Sequence, residues 1–317
     1  MLKQAIPFIF VVLWASGFVG AKIGLVYAEP ATLLTIRMLG NVVLFSVLII
    51  LLRRSIPTGK ALLHSCVVGM LIHGFYLGGT YEAIKYGMPA GLSALLVGIQ
   101  PLLTAMIVTS FAKQVLKPSQ WLGLVIGFIG IGCVLVGNIH WQEGSDKLAA
   151  FIFVFAALLG ITFGTLYQKR FCQGVDMIGG AMTQYIAAAL LFIPVAVMTE
   201  TRDVNWTWAF SLTMLWLVVV LSGVAVLLLL YMVKHGESSK VASVFYLVPP
   251  VAAVQAWLLF GESFDQFGML GFALASASVY LVAKAPRLKL SRFYPEKLIQ
   301  KKYKNVDKGM SKQYEIR

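Results

Sequence analysis

Residues 84–113, IKYGMPAGLSALLVGIQPLLTAMIVTSFAK, and residues 233–262, VKHGESSKVASVFYLVPPVAAVQAWLLFGE, are two copies of one pattern. At a shift of 149 positions and without a gap, the coinciding residues include Gly87 and Gly236, Pro101 and Pro250, and Phe111 and Phe260. Each copy contains the end of one apolar run and the whole of the next. Because internal repeats define the architecture of many membrane proteins, this duplication decides the fold.

The composition excludes a water-soluble domain. The 317 residues are 59% hydrophobic and 12% charged, with a mean hydropathy of +0.83, whereas soluble domains carry about 25% charged residues. A helix needs about 20 mainly apolar residues to cross the hydrocarbon layer. Ten such runs are present, at residues 5–26, 31–52, 62–84, 90–111, 120–137, 149–168, 179–199, 210–233, 240–260 and 266–284.

The positive charges predict the direction of these spans, because cytoplasmic loops are enriched in Lys and Arg. With the N-terminus in the cytoplasm, 21 of the 26 Lys and Arg residues lie on the cytoplasmic side and 3 lie outside. The other two, Lys22 and Arg37, fall inside spans. An even number of spans then places both termini in the cytoplasm.

Five spans per copy is an odd number, so the second copy enters the membrane with the opposite sense. The sign of one aligned pair agrees, since Lys113 at an inner end corresponds to Glu262 at an outer end. We therefore predict an all-α membrane protein of ten transmembrane helices in two inverted five-helix repeats, with both termini cytoplasmic. The predicted units are residues 1–140, residues 146–285 and a basic cytoplasmic tail, residues 286–317.

The repeat combines a glycine-containing turn, a small-residue helix with a proline near its middle, and the closing Leu259-Phe260-Gly261-Glu262. The first half adds Trp14-Ala15-Ser16-Gly17-Phe18 and Arg37. In these features the chain resembles the EamA family of the drug/metabolite transporter superfamily, over about residues 5–285. It departs from the family at Phe111-Ala112-Lys113, where an acidic residue usually follows a glycine. The resemblance implies a ten-helix transporter of small organic molecules.

Ionisable residues inside spans are functional hypotheses, because charge is costly in hydrocarbon. His73 lies at the midpoint of the third span with Tyr76 on the same face, and either a substrate contact or a helix-to-helix hydrogen bond would explain it. Arg37 is expected to pair with a carboxylate or a helix end in preference to a substrate. Lys22 is expected to extend to the outer interface. Glu82, at the outer end of the third span, could neutralise either cation.

Uncharged residues extend the candidate site. A proline within a helix frees a carbonyl one turn back, and free backbone groups at membrane depth are tolerated where they face a cavity. Gln100 precedes one such proline and Tyr246 precedes another, while Trp14 and Ser16 lie in the middle of the first span. The candidates for the substrate cavity are therefore Trp14, Ser16, His73, Tyr76, Gln100 and Tyr246, and the structural or coupling candidates are Arg37, Glu82, Pro101 and Pro250.

Partners are predicted from charge and from small residues. From Lys284 to Arg317, eleven basic and three acidic residues indicate contact with anionic headgroups. Glycine and alanine at four-residue spacing predict close helix packing and a monomer or weak homodimer, as in Gly123, Gly127 and Gly130 and in Gly268, Gly271 and Ala275. No metal-ligand spacing or nucleic-acid motif is present, so no cofactor, metal or nucleic acid is expected.

The sequence predicts a transporter of the inner (cytoplasmic) membrane. Its expected activity is export, by alternating access, of a small organic metabolite such as an amino acid or amine-like compound, or of a drug. The alternative is an intramembrane enzyme acting on a lipid or small molecule, although HExxH, GxSxG and paired carboxylates at depth are absent from the sequence. A channel is disfavoured because no ring of charge or filter loop repeats.

Overall fold

The computed structural model describes residues 2–112, 118–136, 144–228, 232 and 245–284, and these residues are almost entirely helical, without a β-strand. The α-helices are α1 (Leu2–Gly24), α2 (Pro30–Leu52), α3 (Gly59–Gly69), α4 (Leu77–Lys85), α5 (Ala90–Gly98), α6 (Gln100–Ala112), α7 (Pro118–Val136), α8 (Lys147–Phe171), α9 (Met177–Thr199), α10 (Trp208–Leu215), α11 (Val248–Phe260) and α12 (Gln266–Lys284).

The chain is a multi-pass membrane protein. Within the described ranges, seven helical stretches are long and apolar enough to cross a membrane: Ala5–Gly24, Pro30–Leu52, Gly59–Lys85, Ala90–Ile107, Lys147–Phe171, Met177–Thr199 and Trp208–Leu228. Shorter apolar helices at Trp121–Val134 and Val248–Phe260, together with α12, occupy the other predicted spans. The total of ten spans and the inverted arrangement of the repeats stay predictions. Lys113 and the predicted tail, residues 286–317, lie outside the described residues.

Two π-helical segments widen the long helices. The segment π1 (Met70–Tyr76) joins α3 to α4, and π2 (Trp216–Ala225) continues α10. In π2, Ser222 Oγ donates a hydrogen bond of 3.0 Å to the carbonyl oxygen of Leu217, five residues earlier. Single π-helical turns are rare and are found frequently at functional sites. The two segments therefore indicate where a site is expected.

The repeat prolines lie in the first turns of helices, which differs from the expected position inside continuous helices. α5 ends at Gly98 and α6 begins at Gln100, so Pro101 is the second residue of α6. Pro250 lies in the first turn of α11. A first-turn proline gives up no helical hydrogen bond, because an N–H there has no partner within the helix. The break after α5 also packs against α11, with Gly98 against the ring of Pro249.

Glycines bring α7 and α12 into backbone contact. A Cβ added to Gly130 would lie 2.6 Å from the backbone nitrogen of Ala275. A Cβ added to Gly271 would lie still closer to the backbone oxygen of Gly130. Gly132, only two residues along α7, has no atom within 4 Å of an added Cβ. The small-residue faces predicted from the sequence thus pack against each other inside one chain.

Carboxylates from late in the chain complete the first turns of two early helices. Glu200 accepts hydrogen bonds from the backbone N–H groups of Ala31 at 2.8 Å and Thr32 at 2.7 Å, at the start of α2. Glu262 does the same at the start of α5, where two N–H groups donate at 2.8 and 2.9 Å. A helix N-terminus has unpaired N–H groups and the positive end of the helix dipole, so a carboxylate there is stabilising.

A further contact joins the α1–α2 connection to the segment after α9. Glu29 Oε2 accepts hydrogen bonds from Thr201, at 2.7 Å from its backbone N–H and 2.8 Å from its hydroxyl. Lys85 Nζ lies 3.7 Å from Glu29 Oε1. The hydrogen bonds from Thr201, the hydroxyl first, lower the pKa of Glu29 below its ordinary value. Beside them, Ala28 pairs with Val204 in an isolated antiparallel bridge.

Candidate functional site

A cavity lies between the helices at the level where both π-helical segments occur. Its empty volume is about 660 Å³, including the part that is open to solvent. Residues of α1, α2, π1, α4, α8, α9 and π2 line it. The aromatic lining residues are Trp14, Phe18, Tyr76, Tyr81 and Tyr185, and the polar ones are Arg37, His73, Thr80 and Ser222.

Four of the residues predicted from the sequence meet at this cavity. Trp14 comes from α1, Arg37 from α2, and His73 and Tyr76 come from π1. The His73 ring lies 4.6 Å from the ring of Tyr185, measured between centroids. The cavity therefore combines a permanent positive charge with aromatic and imidazole rings on helices that are apolar enough to cross a membrane, where ionisable side chains are usually functional.

Two predicted cavity residues make other contacts. Gln100 Nε2 donates a 2.8 Å hydrogen bond to Thr165 Oγ1, which joins α6 to α8. Ser16 Oγ donates to the carbonyl oxygen of Leu13 at 2.6 Å and accepts from Trp216 Nε1 at 2.8 Å. Both side chains bond to neighbouring helices, and neither is among the described residues that line the cavity.

The remaining candidates lie elsewhere or outside the described residues. Glu82, Pro101 and Pro250 are not among the residues that line the cavity. Glu82 pairs with neither Lys22 nor Arg37 in the described part of the chain, where Lys22 has a different carboxylate partner. The backbone of Tyr246 belongs to a short 3₁₀ segment, Phe245–Leu247, but its side chain lies outside the described residues.

No carboxylate in the described part of the chain pairs with Arg37, for which a carboxylate or a helix end was expected as partner. Its side chain is buried, with 6% of the residue exposed. Nη1 donates a 2.9 Å hydrogen bond to the hydroxyl oxygen of Tyr81, while Nε has no hydrogen-bond partner among the described residues. A buried guanidinium with an open donor is costly, so this group is the most unusual electrostatic feature of the cavity.

Close backbone packing positions π1. A Cβ on Gly160 of α8 would lie 2.8 Å from the carbonyl oxygen of Leu71 and 2.9 Å from the backbone nitrogen of Tyr76. Only a glycine allows this approach, which holds the π1 backbone against α8. Thr80 Oγ1 also donates to the Tyr76 carbonyl oxygen at 2.7 Å. The π1 side chains His73 and Tyr76 therefore project from a supported backbone.

Sequence reasoning did not select several lining residues. Thr80 and Tyr81 follow Tyr76 at spacings of four and five, so the face begun by His73 continues toward the end of α4. That periodic polar and aromatic face is a signal that could have identified them. Ser222 has no such local signal, because its position depends on contacts between distant parts of the chain.

Lys22 forms an ion pair with a carboxylate from late in the chain. Its Nζ lies 2.7 Å from Glu262 Oε1 and 4.6 Å from the centroid of the Phe260 ring. The Glu262 carboxylate also accepts hydrogen bonds from the backbone N–H groups of Ala90 and Gly91. One carboxylate therefore joins α1, α5 and the end of α11.

A family model for the EamA-like transporter family matches residues 5–136 and 148–284. The chain is also 24% identical over 285 residues to an uncharacterized inner membrane transporter, YedA, of Escherichia coli strain K12, covering 88% of this chain and 92% of YedA. It is 25% identical over 283 residues to a probable amino-acid metabolite efflux pump of Salmonella typhimurium, covering 86% of this chain and 91% of the pump.

A solved crystal structure shows the same fold. Its chain is 17% identical in sequence and superimposes with a TM-score of 0.58. The alignment covers 87% of the present chain and 94% of the other. At this identity the likeness is evidence for the fold alone.

Proposed function

Because this inner-membrane chain belongs to the EamA-like transporter family, we propose that it exports a small amino-acid-like metabolite through the cavity formed by Trp14, Arg37, His73 and Tyr76. The observation that carries the proposal is the convergence of these side chains on one cavity at the level of both π-helical segments. Transporter sites lie near the bilayer midplane, between helices that depart from regular geometry. The substrate class is drawn from the efflux-pump relative.

The proposed transport mechanism is alternating access. In such a cycle the cavity opens to one side while contacts on the other side close it. In the present arrangement, Glu200 and Glu262 tie late segments to the starts of α2 and α5. These contacts lie at the end of the bundle that we predict to face outward, so export requires them to break and re-form once per cycle.

Purified protein in sealed vesicles tests this function. We expect saturable counterflow of one or more amino acids, with Trp14→Ala reducing the rate by about tenfold or more. Trp208→Ala is the matched control, because Trp208 is 78% exposed on the surface of the helix bundle. A current that does not saturate would indicate a channel, and chemical conversion of the solute would indicate an enzyme.

The proposal also includes the predicted inverted topology, which cysteine labelling tests. Single cysteines at Thr58 and in the tail should react with an impermeant reagent only from the cytoplasmic side. Cysteines at Ser145 and Val204 should react only from outside. Labelling of position 145 exclusively from the cytoplasm would contradict the inverted repeat, because that position connects the two predicted halves.

A further inference from the structure

The guanidinium of Arg37 is the starting point for identifying the substrate. Arg37 is 94% buried, as its 6% exposure shows, and it reaches the cavity from α2. The Tyr81 hydroxyl accepts a hydrogen bond from Nη1 at 2.9 Å. Tyr81 thereby holds one end of the planar group, while Nε has no hydrogen-bond acceptor in the described part of the chain.

We propose that Arg37 binds the carboxylate of the transported substrate and that Tyr81 positions the guanidinium for it. This inference rests on the proposed transport function and names its substrate class. The side of a guanidinium that contains Nε and one Nη presents two parallel N–H groups, which match the two oxygens of a carboxylate. A buried cation whose donors lack acceptors is stabilised when an anion enters the cavity.

The charges of the lining argue for a compound with one negative group. Arg37 is the only residue with a permanent charge among the described residues that line the cavity. A phosphate, with nearly two negative charges, would leave charge unbalanced against a single guanidinium. No Asp or Glu belongs to the described lining, so the one permanently charged group that a cationic amine without a carboxylate would meet in that described lining is Arg37, which repels it.

The aromatic residues that line the cavity indicate which chemical groups the substrate carries besides its carboxylate. Rings of Trp14, Phe18, Tyr76 and Tyr185 line the cavity, and aromatic lining favours apolar or aromatic groups. The inferred substrate is a small carboxylate with an apolar or aromatic side chain. An α-amino group on such a compound could be accommodated by aromatic faces, which attract ammonium groups.

Matched pairs of compounds test the inference. The probes are phenylalanine, tryptophan, leucine and methionine, each compared with its carboxamide, in counterflow with wild-type protein in vesicles. We expect the carboxylates to be transported with a kcat/KM about 10- to 100-fold above that of the amides, the range of a charge-assisted hydrogen-bond pair. In Arg37→Gln this preference should disappear, and Arg37→Lys should restore part of it. Arg54→Gln, which changes an arginine 51% exposed at its side chain, should keep the full preference.

A binding measurement separates a defective site from a defective fold. The carboxylate probes should raise the Tm of wild-type protein but not that of Arg37→Gln, because a ligand stabilises only the state that binds it. Tyr81→Phe keeps the charge and should raise KM several-fold while the preference for carboxylate persists. Equal transport of amides and carboxylates by wild type would overturn the inference but leave the transport function intact. If no probe or other solute shows saturable counterflow, the proposed function fails, and the inference fails with it.

Discussion

Lys22 and Glu262, separated by 240 positions in the sequence, form a 2.7 Å ion pair beside the first turn of α5. The side chain of Lys22 is 19% exposed and that of Glu262 is 7% exposed. The carboxylate has three interactions within the protein: Oε1 accepts from Lys22 Nζ and from the backbone N–H of Ala90, and Oε2 accepts from the backbone N–H of Gly91.

Removing this carboxylate is expected to destabilise the protein strongly. Glu262→Ala leaves a mostly buried ammonium group and two helix-terminal N–H groups without partners, at a cost of about 3–5 kcal/mol. The measurement is thermal unfolding of purified protein in detergent. Asp203→Ala, a change at an exposed carboxylate at the same end of the bundle, should leave Tm nearly unchanged. Equal Tm shifts in the two variants would show that the network contributes nothing specific.

The contact between α7 and α12 predicts that alanine substitutions at two glycines of α7 have different effects on stability. Gly130→Ala places a Cβ against the backbone of α12, where neither side can yield without separating the helices. We expect a loss of about 1–3 kcal/mol in the free energy of unfolding, the cost of overpacking. Gly132→Ala has open space and alanine is the better helix former, so it should be neutral or slightly stabilising. Similar destabilisation by both would contradict the packing.

The hydrogen bonds from Thr201 to Glu29 make a pH-dependent contribution to stability. Because they lower the folded-state pKa of Glu29, their stabilisation is present above the unfolded-state pKa and is lost as the pH falls through the lower, folded-state value. Thr201→Val removes one donor, and we expect it to cost about 0.5–1 kcal/mol near pH 7 after allowance for screening by water. Its effect on Tm should shrink under acid conditions. Thr199→Val, whose hydroxyl donates only to a helix carbonyl, should show no such pH dependence.

The next prediction concerns whether transport is coupled to a proton gradient through His73. The described cavity lining contains no carboxylate, and proton relays in pumps are usually built on buried acidic groups. We therefore expect facilitated transport or exchange, with a pH gradient alone driving no uphill movement of substrate. His73→Ala should lower the rate while the amount of folded protein stays close to wild type. Uphill movement that disappears in His73→Ala would establish proton coupling through this residue.

Hydropathy could predict the helices because the membrane acts on local composition, independently of what each helix later packs against. It could not predict π1, whose backbone packs closely against Gly160 of α8, because local composition carries no information about contacts between distant segments. It also placed Pro101 inside a helix that in fact breaks at the residue between Gly98 and Gln100.

The same distinction between local and distant information applies to the site. Trp14, His73 and Tyr76 were selected because a polar or amphipathic side chain at the middle of a span is unusual whatever its neighbours. The partners of Arg37 and Lys22 were not predicted, since Tyr81 and Glu262 lie 44 and 240 positions away, respectively. Gln100 also sits at membrane depth, and only the position of Thr165 shows that its amide is used between helices.

The two carboxylate caps have a consequence for how the protein is made. α2 receives its cap from Glu200, 169 positions after Ala31, and α5 receives its cap from Glu262, 172 positions after Ala90. A ribosome adds about 5–20 residues each second, so the starts of both helices stay uncapped for many seconds after they leave the exit tunnel. The N-terminal half is therefore incomplete during synthesis, because the start of α2 is capped only after α9 has been made and the start of α5 only after α11 has been made.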